Sequence, residues 1–329
     1  MAHKPQYVES IPHAFEGTAR NLLENVDERG ALDNLIEELS LKPILENDIK
    51  ALSGGELQRV ALAATLARDV DFYFLDEITP YLDIKQRIVA ANVIRNLATS
   101  ENRSILVVEH DLAILDLIAD SIHIAYGVAG AFGVVTDIKS TRNGINEYLS
   151  GFLKNENMRV RPRSITFDQR APKTNIETEP LLSYPLIEMS YETGFSLTVE
   201  PGVINQHEVL GVVGPNGIGK STFANILAGE QNTDSFPPDS SVSISYKPQY
   251  FSSEESIRVD AYLAKLASDF GTSYWTTEIA LPLQLDKIMS QNLLDLSVSG
   301  LGLDITTTPA SSIEKHSFSD KSLTVGIIN

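Results

Sequence analysis

Val209-Leu-Gly-Val-Val-Gly-Pro-Asn-Gly-Ile-Gly-Lys-Ser221 is the stretch on which the fold turns. Its first five residues, Val209 to Val213, are apolar and rich in β-branched side chains, and they read as a buried strand. The loop Gly214-Pro215-Asn216-Gly217-Ile218-Gly219-Lys220-Ser221 follows directly, and Ser221 to Ala228 reads as a helix stopped by Gly229. Strand, glycine loop and helix in that order are the setting of a phosphate-binding loop. Glycines let backbone N–H groups converge on phosphate oxygens, and the helix N-terminus adds positive potential. Lys220 is then placed for the β- and γ-phosphates and Ser221 for Mg²⁺, so Gly214 through Thr222 are the candidate ATP-binding residues. A glycine-rich turn without a ligand is the plainer alternative.

Composition sets the outer limits. At 329 residues the chain has length for about two domains of ~150 residues, each able to bury a core. Hydrophobic residues make up 43% and charged residues 21%, which is globular rather than disordered composition. The net charge of −18 repels phosphate backbones, so general nucleic-acid binding is not expected outside a local basic patch. There is no cysteine, which excludes disulfides, thiolate metal sites and iron–sulfur ligation by this chain. The longest apolar stretch, Ile122 to Val135, falls short of the roughly 20 residues of a membrane span, and the N-terminus lacks an apolar signal region. A cytoplasmic protein without a membrane partner is the expectation.

Internal repetition decides the organisation. Lys4-Pro-Gln6-Tyr7 recurs as Lys247-Pro-Gln249-Tyr250, an offset of 243 residues. The same offset carries Ser53-Gly-Gly-Glu56 to Leu296-Ser-Val-Ser-Gly300, where the register holds to within one residue but the motif is broken. Run backwards from Lys220 it passes Met1, and run forwards from Glu77 it reaches the polar Ser319-Asp320, with no apolar strand expected before it. The chain therefore reads as the back of one repeat followed by the front of the next.

The first half carries three further motifs. Ser53 and Glu56 form a capping box ahead of a helix whose apolar positions Leu57, Val60, Ala61 and Ala64 recur at helical spacing. Taken alone this is a well-capped helix. Gly54 and Gly55 are poor helix formers unless backbone must approach a ligand closely, which suits a γ-phosphate. Phe72-Tyr-Phe-Leu75 reads as a strand ending in Asp76, suited to Mg²⁺, and Glu77, suited to polarising an attacking water. Ser104-Ile-Leu-Val-Val108 has the same shape and ends in Glu109-His110, a histidine placed to contact a γ-phosphate.

The order Gln6, Leu52-Ser-Gly-Gly-Glu-Leu-Gln-Arg59, Leu75-Asp-Glu77, Tyr81-Leu-Asp83 and His110 resembles the Q-loop, signature, Walker B, D-loop and H-loop of an ATP-binding-cassette ATPase. The flanking text, Val108-Glu-His-Asp111, Tyr126-Gly127 and Thr141-Arg-Asn-Gly-Ile-Asn146, narrows the resemblance to the RNase L inhibitor type, the family-E proteins that split ribosomes. The match runs from about Lys4 to Leu296. It implies an α/β fold of P-loop NTPase type, with two incomplete cassettes joined by a hinge.

The organisation so implied is the back of the first cassette over 1–138, hinge and linker over 139–182, the front of the second cassette over 183–296, and a divergent tail over 297–329. In the family, nucleotide lies between one cassette's Walker A and the other's signature. One site would then pair Lys220, Ser221 and Gln249 with Ser53, Gly54 and Gly55 but lack its own Walker B carboxylates. The other would use Asp76, Glu77 and His110 without a Walker A. The resemblance also implies ATP and Mg²⁺ (ligands Ser221, Gln249, Asp76), a role for Asp83 in the D-loop, and an iron–sulfur domain for which this chain has no cysteine. The ribosomal small subunit is the implied partner. Ile78-Thr-Pro80 departs from the family's usual text beside the D-loop. Arg159, Arg161 and Arg163 cluster near the hinge, and both a contact with ribosomal RNA and a solvated linker fit them. Phe195 and Tyr191 are both candidates for the aromatic that stacks on adenine.

Overall fold

The computed structural model describes residues 1–128, 131–167, 179–191, 194–231, 242–246, 256–267, 269–283, 285–293 and 322–325. The chain divides into two compact units, Met1–Thr174 and Asn175–Ile328.

In the first unit, the strands Ala2–Lys4, Phe72–Asp76 and Ser104–Val108 form a parallel sheet in that order. Parallel neighbours require a crossover, and the helices Gly54–Leu66 and Ile84–Ser100 supply chain for it between successive strands. The helix Gly54–Leu66 starts where the capping box places it: Ser53 Oγ accepts from Glu56 N at 3.4 Å, and Glu56 Oε2 accepts from Ser53 N at 2.8 Å. Its apolar face, Leu57, Val60, Ala61 and Ala63, is buried together with Tyr73 and Leu75 of the central strand. Asp83 starts the helix Ile84–Ser100 by accepting from Gln86 N at 2.9 Å. Asp83→Ala removes that cap and is expected to lower the stability of this unit by about 1 kcal/mol in a denaturant titration.

The stretch Thr141–Ser150, expected as hinge, is a helix that closes on Gly151 in the left-handed conformation. Lys139 at its foot is buried between two carboxylates, Glu147 at 3.1 Å and Glu156 at 3.0 Å. Two of the three hinge arginines lie on aromatic rings, with the Arg161 guanidinium 4.9 Å from the Tyr148 centroid and that of Arg159 5.8 Å from Phe152.

Among its described residues the second unit holds two small cores. One gathers Leu182, Ile187, Ile204, Ile226 and Leu227 from the antiparallel pairs Pro180–Tyr184/Gly202–Asn205 and Ile187–Ser190/Ser196–Val199 and from the helix Lys220–Leu227. The other gathers Val259, Leu263, Trp275, Leu285 and Leu293.

The repeat recurs in backbone detail. Ala19 N donates to Asn47 O at 3.0 Å and Ile49 N to Gly17 O at 3.0 Å; Val259 N donates to Gln291 O at 3.1 Å and Leu293 N to Ile257 O at 2.8 Å. The bridge Thr18–Asp48 has its counterpart in Arg258–Asn292. The same turn of chain is thus built twice, and the second copy reaches Leu293, just ahead of the broken motif.

One expectation needs correction. Val209–Val213 is not a buried strand: it joins no sheet, and Val209 and Val213 are 91% and 80% exposed. An extended segment becomes a strand only through partners, and none of the described residues pairs with it. In the tail, where no strand was expected before Ser319-Asp320, Ser322–Val325 lies after that point and pairs in parallel with Ser243–Tyr246. That pair is the counterpart of Ala2–Lys4 beside Phe72–Asp76, because each first strand runs into a Lys-Pro-Gln-Tyr segment. The residues after Val325 are Gly326-Ile327-Ile328, without the carboxylates that follow Leu75.

Candidate functional site

In the first unit, the ends of the parallel strands bring four sequence-expected residues into one cluster. Gln6 Nε2 donates to Glu77 Oε1 at 2.6 Å, and His110 Nε2 lies 3.3 Å from the same oxygen. Asp76 ends the central strand, paired with Val108, and Glu77 N donates to Val108 O at 2.9 Å. Glu77 has φ of +48°, a left-handed conformation that is costly for a residue with a Cβ. The carboxylate it presents is 19% exposed, open enough to meet a water and sheltered enough to act on it.

Three residues missed by the sequence reading hold this cluster. Lys4, wholly buried, donates to Pro5 O at 2.9 Å, Asp76 O at 2.9 Å and Glu77 O at 3.0 Å. Gln58, in the helix opened by Ser53, donates to Glu77 O at 2.8 Å. Glu109 Oε1 accepts from Ile78 N at 3.1 Å and Thr79 N at 2.9 Å, which fixes the turn after the carboxylates. The repetition of Lys-Pro-Gln-Tyr was the available signal. Burial draws the Lys4 ammonium down to about 8, against the upward pull of Asp76, Glu109, Glu77 and Glu9.

In the second unit, Gly217 and Gly219 take left-handed φ of +76° and +97°, and Gly219 starts the helix Lys220–Leu227 with no side-chain cap. The first amides of that helix are therefore left for another acceptor. Lys220 Nζ donates to Gly214 O at 2.7 Å and Pro215 O at 2.9 Å, so the ammonium lies over the loop. Ser221 and Thr222 are half-buried on its first turn, while Pro215, Asn216 and Ile218 are exposed. Left-handed glycines, an uncapped helix start and a lysine over the loop suit a polyphosphate, with the Ser221 hydroxyl available to Mg²⁺.

The two aromatic candidates differ in their surroundings. A Cβ on Gly219 would lie 3.1 Å from Phe195 Cζ, so Phe195 walls the loop. Tyr191 instead has its hydroxyl engaged by Gln231 Nε2 at 2.7 Å. Gln249, expected as a ligand, lies outside the described residues, as does the broken motif at Leu296–Gly300. Of the expected Mg²⁺ ligands, Asp76 belongs to the first unit and Ser221 to the second. Among the described residues no group of three or more His, Asp or Glu is arranged to hold a metal ion, and no helix is long and apolar enough to cross a membrane.

The family described as ABC transporter matches residues 2–80 and 197–267. Over 297 residues, 90% of its length, the chain is 44% identical to an uncharacterized ABC transporter ATP-binding protein of Methanocaldococcus jannaschii, covering 48% of that protein. It is 40% identical over 296 residues to Protein Pixie of Drosophila melanogaster, covering 89% of this chain and 48% of the relative. It is 36% identical over 303 residues to translation initiation factor RLI1 of Saccharomyces cerevisiae, covering 89% of this chain and 50% of the relative. The chain thus spans about half the length of the curated relatives it matches. Among solved structures, an archaeal ribosome recycling factor in complex with a ribosomal stalk protein matches with a TM-score of 0.81 and 44% identity, over 91% of this chain and 58% of that one. The assembly of ribosome-bound archaeal Pelota and ABCE1 matches with a TM-score of 0.85 and 45% identity, over 91% of this chain and 50% of that one. With its P-loop, its strand-end carboxylates and this likeness along nine tenths of its length, the chain belongs to the RNase L inhibitor, or E, family of ABC-type P-loop ATPases.

Proposed function

We propose that the chain binds ATP-Mg²⁺ through the P-loop of its second unit, as a cytoplasmic, translation-linked ATPase of ribosome-recycling type whose hydrolysis is impaired. The observation that carries the reading is the uncapped helix start at Lys220, behind left-handed Gly217 and Gly219. Gly214 to Gly219 would cradle the phosphates, Lys220 would neutralise them, Ser221 and Gln249 would serve Mg²⁺, and Phe195 would face the base. In the first unit, Asp76 would serve Mg²⁺, Glu77 would polarise water, Gln6 and His110 would sense the γ-phosphate, Ser53 to Glu56 would form the signature, and Asp83 the D-loop. The metal would supply charge neutralisation on the phosphates.

Impairment follows from how these parts are distributed. The P-loop and the strand-end carboxylates lie in different units, and the second unit's strand Ser322–Val325 leads into Gly326-Ile327-Ile328, without a carboxylate. Loss of a positioned base costs about 10²–10⁴-fold in rate. The same strand favours a second reading, a nucleotide-binding or interaction module without ATPase activity.

Titration of the full chain with a fluorescent ATP analogue is expected to show saturable, Mg²⁺-dependent binding with turnover at background. Steady hydrolysis abolished by Lys220→Ala would defeat the impairment, and absence of binding would defeat the whole reading. Small ribosomal subunits are the proposed partner, so ATP-dependent co-sedimentation with them is expected; pelleting no greater than without subunits would remove that partner.

A further inference from the structure

Glu77 is held at its carboxylate and at its main chain by the segment Lys4–Gln6. Gln6 binds its carboxylate, and two residues earlier Lys4 binds its main-chain carbonyl. An ammonium has three N–H donors, and those of Lys4 are all used inside the protein: one on the Gln6 loop at Pro5 O, two on the carboxylate dipeptide at Asp76 O and Glu77 O. No part of the Lys4 side chain reaches solvent. A buried charge of this kind persists only where its donors are satisfied. The dipeptide it grips contains the left-handed Glu77, a conformation that surrounding structure has to enforce. Lys4 thus joins two loops that are 72 residues apart in sequence, at the point where one of them is strained.

We propose that Lys4 is a positioning residue for Glu77. Its ammonium ties the Gln6 loop to the main chain of the carboxylate dipeptide and so sets the Glu77 carboxylate against the Gln6 amide. A hydrocarbon side chain of equal length would fill the same space without this effect. The inference rests on the reading of Glu77 as the group that polarises water, because only then does its placement matter to function.

The test uses the full chain labelled with ¹⁵N-glutamine, and follows the Gln6 side-chain amide, assigned with Gln6→Asn. In the parent chain this amide is expected to be protected from solvent exchange by its bond to Glu77. Lys4→Met is expected to lower that protection about tenfold, the scale of one lost hydrogen bond, and to match Glu77→Ala. Because the chain has no cysteine, Lys4→Cys alkylated with 2-bromoethylamine rebuilds an ammonium at this position alone and is expected to restore the protection. Unchanged protection in folded Lys4→Met would overturn the proposal, and so would failure of the alkylated chain to recover it. Should Lys4→Met not fold, scalar couplings from Lys4 ¹⁵Nζ to the ¹³C′ of Asp76 and Glu77 in the parent chain decide: their presence supports the clamp and their absence overturns it. The clamp is read from the Gln6 amide, whose bond to Glu77 exists whether or not that carboxylate polarises water, so the clamp and the role of Glu77 can each fail alone.

Discussion

Lys220→Ala lowers the affinity of the chain for ATP-Mg²⁺ by about a hundredfold, equivalent to about 2.7 kcal/mol. The size follows from what the ammonium does now and what it would do with nucleotide. Its bonds to Gly214 O and Pro215 O keep it over the loop rather than out in solvent. A polyphosphate would take over these donors as charge-assisted bonds, which are roughly twice as strong as neutral ones. Alanine keeps the helix Lys220–Leu227 intact, because it is the best helix former and this position is the first of the helix. The loss should therefore appear in binding without a matching loss in the thermal transition. Titration of both chains with the same fluorescent ATP analogue measures it. A change below threefold would mean that the loop does not hold phosphate.

The second large effect concerns pH. Lys4 titrates at about 8 in the folded protein against 10.5 in its ordinary state. Below pH 8 both folded and unfolded chains hold the proton, and the folded state carries the full cost of the buried charge. Between about 8 and 10.5 the folded state releases the proton while the unfolded chain retains it, so stability rises with pH across this window. Above 10.5 the gain is complete. The shift corresponds to about 3 kcal/mol. Other lysines and tyrosines titrate in the same range, so the measurable quantity is the unfolding free energy of the parent chain minus that of Lys4→Met. This difference is expected to move in favour of the parent chain by about 3 kcal/mol from pH 7.5 to 10.5. A flat difference would show that Lys4 is not buried as a cation.

Much of the site was written in local pattern. Phe72–Leu75 and Ser104–Val108 are apolar runs closed by acids, and both are strands. Ser53 and Glu56 are three residues apart, the distance at which a helix start closes on itself, and the helix begins there. What depends on distant chain was not legible. Lys4 meets Asp76 across 72 residues, and no local rule foretells that contact. Val209–Val213 has the composition of a strand, but composition cannot supply the neighbour that a strand needs. Ser322-Leu-Thr-Val325 fails in the opposite direction, since four residues with two hydroxyls give a weak signal until the partner Ser243–Tyr246 is known. That the ring of Phe195 lies against Gly219 is likewise a contact between separate stretches of chain that no local pattern foretells.

That last strand pair also fixes an order of events during synthesis. Ser243–Tyr246 leaves the ribosome before its partner, and residues 247 to 321 must be added before Ser322–Val325 can reach it. At ~5–20 residues per second this leaves the second unit with an open strand edge for several seconds. An edge of this kind is a template for pairing with another chain. The yield of correctly folded protein should therefore depend on translation speed through 247–321 more than on speed through any stretch of equal length before Ser243.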